Sequence, residues 1–284
     1  MMIDHEELID AANSLEPLPV ATARLIQVFG SDDWDPDEVV TIVTEDPALM
    51  GKVLRLANSA WSGSRESVGS VEGALMRIGA SAVVALGLAA AVKPSLAGAL
   101  PAYGMTANDA WEDAVAAATF AGVLREHCPG KVPDEGVATA LLHNMGKVVM
   151  ARSIEPEHGP FLDSARERNS DLAEAERELF DVSYAEIGAI IGQHWKLPAP
   201  MVHAIQHHPD PNGLAPDQSN ARLLAHTVRL AVLAASTLRV ELDSQALEFH
   251  SGSLALLGLV DEEFEILCAE MADRIEESRA CFEA

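Results

Sequence analysis

The chain has 284 residues, with 44 acidic against 19 basic side chains, a formal net charge of -25 and a pI near 4.6. That length suits one large domain or two small lobes. Hydrophobic residues make up 49% and aromatics only 5%, so alanine, leucine and valine build the core and packed helices are favoured over a β-sandwich. The acidity argues against the basic face of a nucleic-acid binder, and an anionic membrane surface would repel it, so neither partner is expected.

Cys128, Cys268 and Cys281 are scattered and form no CxxC pair. This argues against a disulfide framework or zinc ribbon and fits a reducing cytoplasm. The N-terminal Met-Met-Ile-Asp-His-Glu-Glu has no basic or long apolar region, so no signal peptide is read and a cytoplasmic location is expected.

In chain order, residues 4–14 read as a short polar helix, and Leu15-Glu-Pro-Leu-Pro-Val as an extended entry to a helix from Ala21 to Phe29. Asp35-Pro-Asp-Glu38 and Asp46-Pro47 are helix starts: the aspartate caps, proline suits the first turn, and Glu38 can close a capping box. The second of these helices ends near Asn58-Ser59. Ser70 opens another, which Gly79 breaks before the apolar stretch Ala80–Val92. That stretch is too short to span a bilayer and reads as buried.

Pro94 to Asn108 reads as a connector. Thr106-Ala-Asn-Asp109 is a capping box for a helix that contains Trp111 and runs to about His127. Pro133 starts a helix that ends in His143-Asn144. Residues 160–179 form a charged amphipathic helix, with Phe161, Ala165, Leu172 and Leu179 inward and Arg166, Glu167 and Arg168 solvated. Ser183-Tyr-Ala-Glu186 is another box, opening a helix to about Trp195. Further helices span Pro200 to His207-His208, Asn220 to Leu238 and Asp261 to Glu276. No period-two pattern occurs, and the chain reads as all-α. Trp61, Trp111 and Trp195 are expected as buried anchors and Trp34 as an exposed contact.

The stretch Leu141-Leu-His-Asn-Met-Gly-Lys147 sets the functional question. Two adjacent polar side chains at the end of an apolar helix cost free energy unless each finds a partner. A His-Asp pair there would suggest a metal site, because imidazole and carboxylate can hold one divalent ion together. Here the second residue is the neutral amide Asn144.

Leu15-Glu-Pro-Leu-Pro, Glu45-Asp-Pro-Ala-Leu, Leu54-Arg-Leu-Ala-Asn-Ser-Ala and Ser70-Val-Glu-Gly-Ala-Leu-Met-Arg-Ile-Gly precede that stretch. The block from Tyr184 through Trp195-Lys-Leu-Pro to Ala204-Ile-Gln-His-His follows it. In this order, over roughly residues 14–240, the chain resembles the HDOD domain, a bacterial output module related to HD-type metal phosphohydrolases. The resemblance implies an all-α, two-lobe helical bundle: an N-terminal lobe over 1–94, a connector over 95–107, and an HD-like C-terminal lobe over 108–284.

It also implies where metal ligands would stand. The early histidine of an HD site falls at Asp113, and the His-Asp pair at His143-Asn144. An accessory histidine falls at Tyr184, and the closing aspartate near Ala231-Val232, where Val232 offers no donor. Only His143 clearly remains, with His207 or His208 as a further candidate. His207 and His208 are read as favourable partners of a helix C-terminus, and His143 and Asn144 as structural hydrogen-bonders closing a helix end. Lys147, three residues past Asn144, is a polar contact that either neutralises Asp113 or is solvated.

The implied function is a non-catalytic signalling or regulatory module acting on an unidentified protein partner, with no catalytic residue, no cofactor and no metal. The alternative is a metal-dependent phosphohydrolase with a reduced site of Asp113, His143 and His208. A third reading places a small-molecule ligand in the cleft between the lobes.

Overall fold

A computed structural model describes residues 5–29, 34–59, 62, 66–154, 159, 162, 172–241 and 244–283. Most helix starts marked in the sequence are made by the residues that mark them. Asp35 accepts from Asp37 N at 2.9 Å and opens α3 (Pro36–Glu45), although Glu38 stays exposed and closes no box. Asp46 accepts from Ala48 N and Leu49 N, both at 3.0 Å, and opens α4 (Pro47–Ala57). Before them lie α1 (His5–Asn13) and α2 (Val20–Phe29). Asn58 closes α4 through Leu54 O and clasps both backbone groups of Val68.

Ser70 caps α5 (Val71–Leu96), which bends at Gly79, where φ is 78°. A left-handed backbone there suits glycine alone, and a side chain would run into the Arg125 guanidinium. The helix then passes Val92 and includes Pro94, whose missing N–H falls opposite the carbonyl of Ala90, an exposed residue that water can serve. Among the described residues α5 is the one helix long and apolar enough to cross a membrane, but 72% of its apolar window is buried inside the protein.

α6 (Asp109–His127) starts with half a capping box: Thr106 N and Oγ1 donate to Asp109 Oδ2, while the cap residue Asn108 sits at φ 71° with no side-chain bond. Then come α7 (Gly136–Leu142), α8 (Met145–Ser153) and α9 (Leu172–Phe180). Phe161, Ala165, Arg166, Glu167 and Arg168 of the expected charged helix lie outside the described residues, as does Trp61. The Ser183–Glu186 box forms in full and opens α10 (Tyr184–His194). α11 (Ala199–His207), α12 (Ser219–Ser236), α13 (Ser244–Leu257) and α14 (Asp261–Glu283) complete the chain. α13 has no counterpart among the expected helices, and α14 runs beyond the expected end at Glu276.

The fold is all-α, and no strand occurs among the described residues. α2 to α4 pack on α5, which also meets α6, α7 and α8. α6, α7, α8, α10, α11 and α12 enclose the second half, and α14 returns across α4, α5 and α6. One continuous apolar core runs from Leu8 to Phe282. α1 packs against α8 and α10, and Trp195 Nε1 donates to Glu16 O at 3.2 Å, so the N-terminal segment is tied to the far half of the chain. Trp34 is half-buried against Phe29, ring centroids 5.9 Å apart, and is not the exposed contact expected of it.

Candidate functional site

His143 and Asn144 form the joint between α7 and α8, the first closing one helix and the second opening the next. Both are buried. His143 Nδ1 lies 2.8 Å from Ala140 O. A carbonyl only accepts, so Nδ1 carries the proton and Nε2 the lone pair. Asn144 Nδ2 donates to Ala110 O on α6 at 2.7 Å, while its Oδ1 is buried without a hydrogen-bond partner. The joint is pressed against α10 because Gly146 has no side chain: a Cβ there would overlap the Tyr184 carbonyl oxygen and stand 2.7 Å from Gly188 N.

This contact brings Tyr184 and His208 to the joint. His208 stacks edge-on to His143, ring centroids 5.8 Å apart. Its Nδ1 lies 2.8 Å from Ile205 O, so Nδ1 donates there and Nε2 accepts from the Tyr184 hydroxyl at 2.9 Å. The carboxylate of Glu176 on α9, fully buried, accepts from the Tyr184 backbone N–H and the Tyr103 hydroxyl, both at 2.6 Å. Lys147 is buried too, its ammonium 4.8 Å over the Tyr184 ring and 6.0 Å from that of Tyr103.

The electrostatics favour neutral imidazoles. Burial pushes His143 well below the ordinary histidine range, and the charges of His208 and Lys147 push the same way against the Ala140 bond. His208 falls to about 3, chiefly through burial, with Lys147 and Arg229 adding to it against the Ile205 bond. Burial and the neighbouring Glu176 raise the Tyr103 hydroxyl well above its ordinary value, so it stays protonated and donates.

The expected positions therefore separate into two groups. His143, Asn144, Tyr184, His208 and Lys147 come together. Asp113 does not join them: its carboxylate pairs with Arg239 in the turn after α12. Lys147 neither neutralises Asp113 nor is solvated, because the long apolar stem and aromatic neighbours keep it inside. His207 is half-buried on the Gly213 side of α11, its Nδ1 3.3 Å from where a Gly213 Cβ would stand. Val232 is half-buried on α12 and has no donor. His208 meets a helix terminus as expected, but as a neutral donor rather than a charge.

Sequence reasoning missed Glu176, Tyr103 and Arg239. Glu176 had a signal: it stands four residues past Leu172 and four before Phe180, on the inward side of α9.

This donor set does not fit a metal ion of the HD type. Both nitrogens of His208 are engaged, Asn144 spends its amide N–H on a backbone carbonyl, Asp113 is neutralised by arginine, and a lysine ammonium stands beside the histidines. What remains is the His143 Nε2 lone pair and the neutral Asn144 Oδ1, buried without a partner, and a tetrahedral site needs three or four ligands. Among the described residues no group of three or more His, Cys, Asp or Glu is placed to hold a metal.

An all-α bundle with a buried His-Asn joint between two helices defines the class, and comparison with known proteins agrees. The HDOD domain model matches residues 15–211. The chain belongs to the HDOD family. It is 26% identical to a provisionally assigned phosphohydrolase from Shewanella amazonensis SB2B, with 98% of this chain and 97% of that one covered and a TM-score of 0.65. It is 25% identical to a provisionally assigned signal transduction protein of Marinobacter aquaeolei VT8, covering 95% of this chain and 60% of that one, with a TM-score of 0.67. An HDOD domain protein of unknown function from Geobacter sulfurreducens, 21% identical with 99% and 98% covered and a TM-score of 0.67, shares the fold. An uncharacterized protein of Treponema pallidum (strain Nichols) is 26% identical over 202 residues, which is 69% of this chain but only 38% of that protein's length.

Proposed function

We propose that this protein is a non-catalytic regulatory module that acts by binding a protein partner in signal transduction. The observation that carries this reading is the polar knot at the α7–α8 joint. Where an HD enzyme would need anionic and imidazole ligands with one open position, this chain has a buried amide bonded to Ala110 O, a tyrosine bonded to His208 and a buried lysine. Asn144 Nδ2 and both His208 nitrogens are engaged within the protein, which supports a bracing role at the helix joint. The kinship with the provisionally assigned signal transduction protein of Marinobacter aquaeolei VT8 supports the same direction.

The competing reading, a phosphohydrolase with a reduced metal site, draws on the kinship with the Shewanella amazonensis protein. It needs Asp113, His143 and His208 to converge, and Asp113 is held by Arg239 instead. The two readings part in one assay. The purified chain is incubated with phosphomonoesters and phosphodiesters in Mn²⁺, Fe²⁺, Ni²⁺ or Zn²⁺, beside its His143→Ala variant. Our reading expects identical background rates from both. Turnover that disappears in the variant contradicts it.

A further inference from the structure

α1 is too short to stand alone. Its 9 residues lie below the roughly 12–15 at which an isolated helix begins to persist in water, so α1 is helical because it is docked. Its hold is small. Leu8 and Ala12, one turn apart on one face, are fully buried, and Ala11 is partly buried beside them. Ile9 is 41% exposed, and Glu7 and Asp10 are exposed with it. The face that receives α1 is built by α8 and α10. Met145 through Met150 of α8 are all buried, and α5, α10 and the short turn Pro101–Tyr103 also pack on that helix. Unlike those, α1 precedes the stretch matched by the HDOD model, which starts at residue 15.

The segment after α1 is caught by two side chains at the end of α10. His194 Nε2 lies 3.3 Å from Leu15 O and, since a carbonyl only accepts, carries the proton there. Trp195 Nε1 donates to Glu16 O at 3.2 Å. Both bonds go to backbone, so they recognise an extended segment leaving a helix, whatever its side chains. Pro17 and Pro19 restrict the backbone of that segment and keep it out of α1.

We propose that the α8–α10 face is a helix-docking groove that α1 fills as a latch, and that a partner's helix with the same Leu-x-x-x-Ala edge displaces it. The apolar edge enters the groove by its i and i+4 anchors, and two carbonyls of the segment that follows meet His194 and Trp195. The short tether holds α1 at high effective concentration, so an incoming helix must compete with it. Displacement uncovers α8 directly after the His143-Asn144 joint. This names the surface for the partner binding proposed above and rests on that reading for its purpose, though not for its geometry.

The test uses the full chain carrying Leu8→Asp and Ala12→Asp, which place charges at the two buried positions of α1, and a fluorescein-labelled peptide spanning residues 5–19, followed by anisotropy. The peptide is expected to bind the variant saturably and about tenfold or more tighter than the parent, where the tethered α1 competes. The same peptide carrying the two aspartates is expected not to bind. Circular dichroism checks that the variant keeps its helices. Hydrogen exchange of the unmodified chain is the second measurement: protected amides of α1 are expected to exchange about tenfold or more faster than those of Val148–Met150, because a latch opens without the core. Amides of α1 as protected as those of α8 overturn the latch even where the variant fails to fold. No saturable binding to a folded variant, equal binding to parent and variant, or binding of the aspartate peptide overturns the groove. Metal-dependent turnover in the assay above removes the regulatory purpose and leaves these readouts unchanged, so the two failures are told apart.

Discussion

Asn144→Asp turns the His-Asn joint into a His-Asp pair, a combination that can hold a divalent ion, so it sets the structural reading against the catalytic one directly. In the present structure the change removes the donor to Ala110 O, a bond of 2.7 Å between buried groups. Leaving that carbonyl unsatisfied costs about 1–3 kcal/mol. A carboxylate buried in the same place has its pKa raised, and a pKa higher by about two adds about 3 kcal/mol at neutral pH. The variant is therefore expected to lose about 4–6 kcal/mol, or about 10–20 °C in Tm. The sign with pH follows from the raised folded value. The charge penalty is complete above the folded pKa and fades as pH falls to about 4, the unfolded value, where a neutral carboxyl can itself donate to Ala110 O. Urea denaturation at pH 7 and pH 4.5, with and without Mn²⁺, measures both parts. A variant as stable as the parent at pH 7, or one that Mn²⁺ stabilises selectively, refutes the reasoning.

Glu176→Gln replaces the charge that accepts from Tyr103 and the Tyr184 backbone, and should cost about 2–4 kcal/mol in urea unfolding, since bonds to a charged acceptor exceed neutral ones. Gly146→Ala should cost more than about 3 kcal/mol or abolish folding, because the methyl group meets backbone on α10 rather than a side chain that can turn away; near-parental stability would mean that α8 and α10 do not approach so closely. For His208, with a folded pKa of about 3 against an unfolded value near 6.5, the unfolded chain binds more protons throughout that interval, so stability is lost as pH falls through it. By pH 5 the loss is about 2 kcal/mol. The stability gap between the parent and His208→Gln should therefore narrow by about that amount between pH 7 and pH 5, and a constant gap counts against a buried neutral imidazole.

Local chemistry made most helix boundaries legible. Asp46-Pro47, Ser70 and Ser183-Glu186 act through bonds within three residues, and the structure contains each of them. α13 was missed because its buried positions, Ala246, Leu247, Ser253, Leu254 and Leu257, alternate with Gly252 and polar residues and give no clean apolar stripe. At the site, the adjacent buried pair His143-Asn144 was legible, because two polar residues closing an apolar helix stand out by residue type. Long-range pairs were not. Asp113 lies 126 positions from Arg239, and Tyr103 lies 73 from Glu176. No spacing rule links residues so far apart, because such pairs are set by helix packing. Lys147 was misjudged for the same reason: its neighbours Tyr103 and Tyr184 arrive from other helices.

The central question is whether the α7–α8 joint grips an ion. The most direct measurement is elemental analysis by mass spectrometry of the full chain, purified without chelators from cells supplied with iron, manganese, zinc and nickel, alongside His143→Ala prepared identically. A joint that only braces the helices predicts far less than one metal per chain in both samples. About one metal per chain in the parent, absent from the variant while its helices persist, would contradict it.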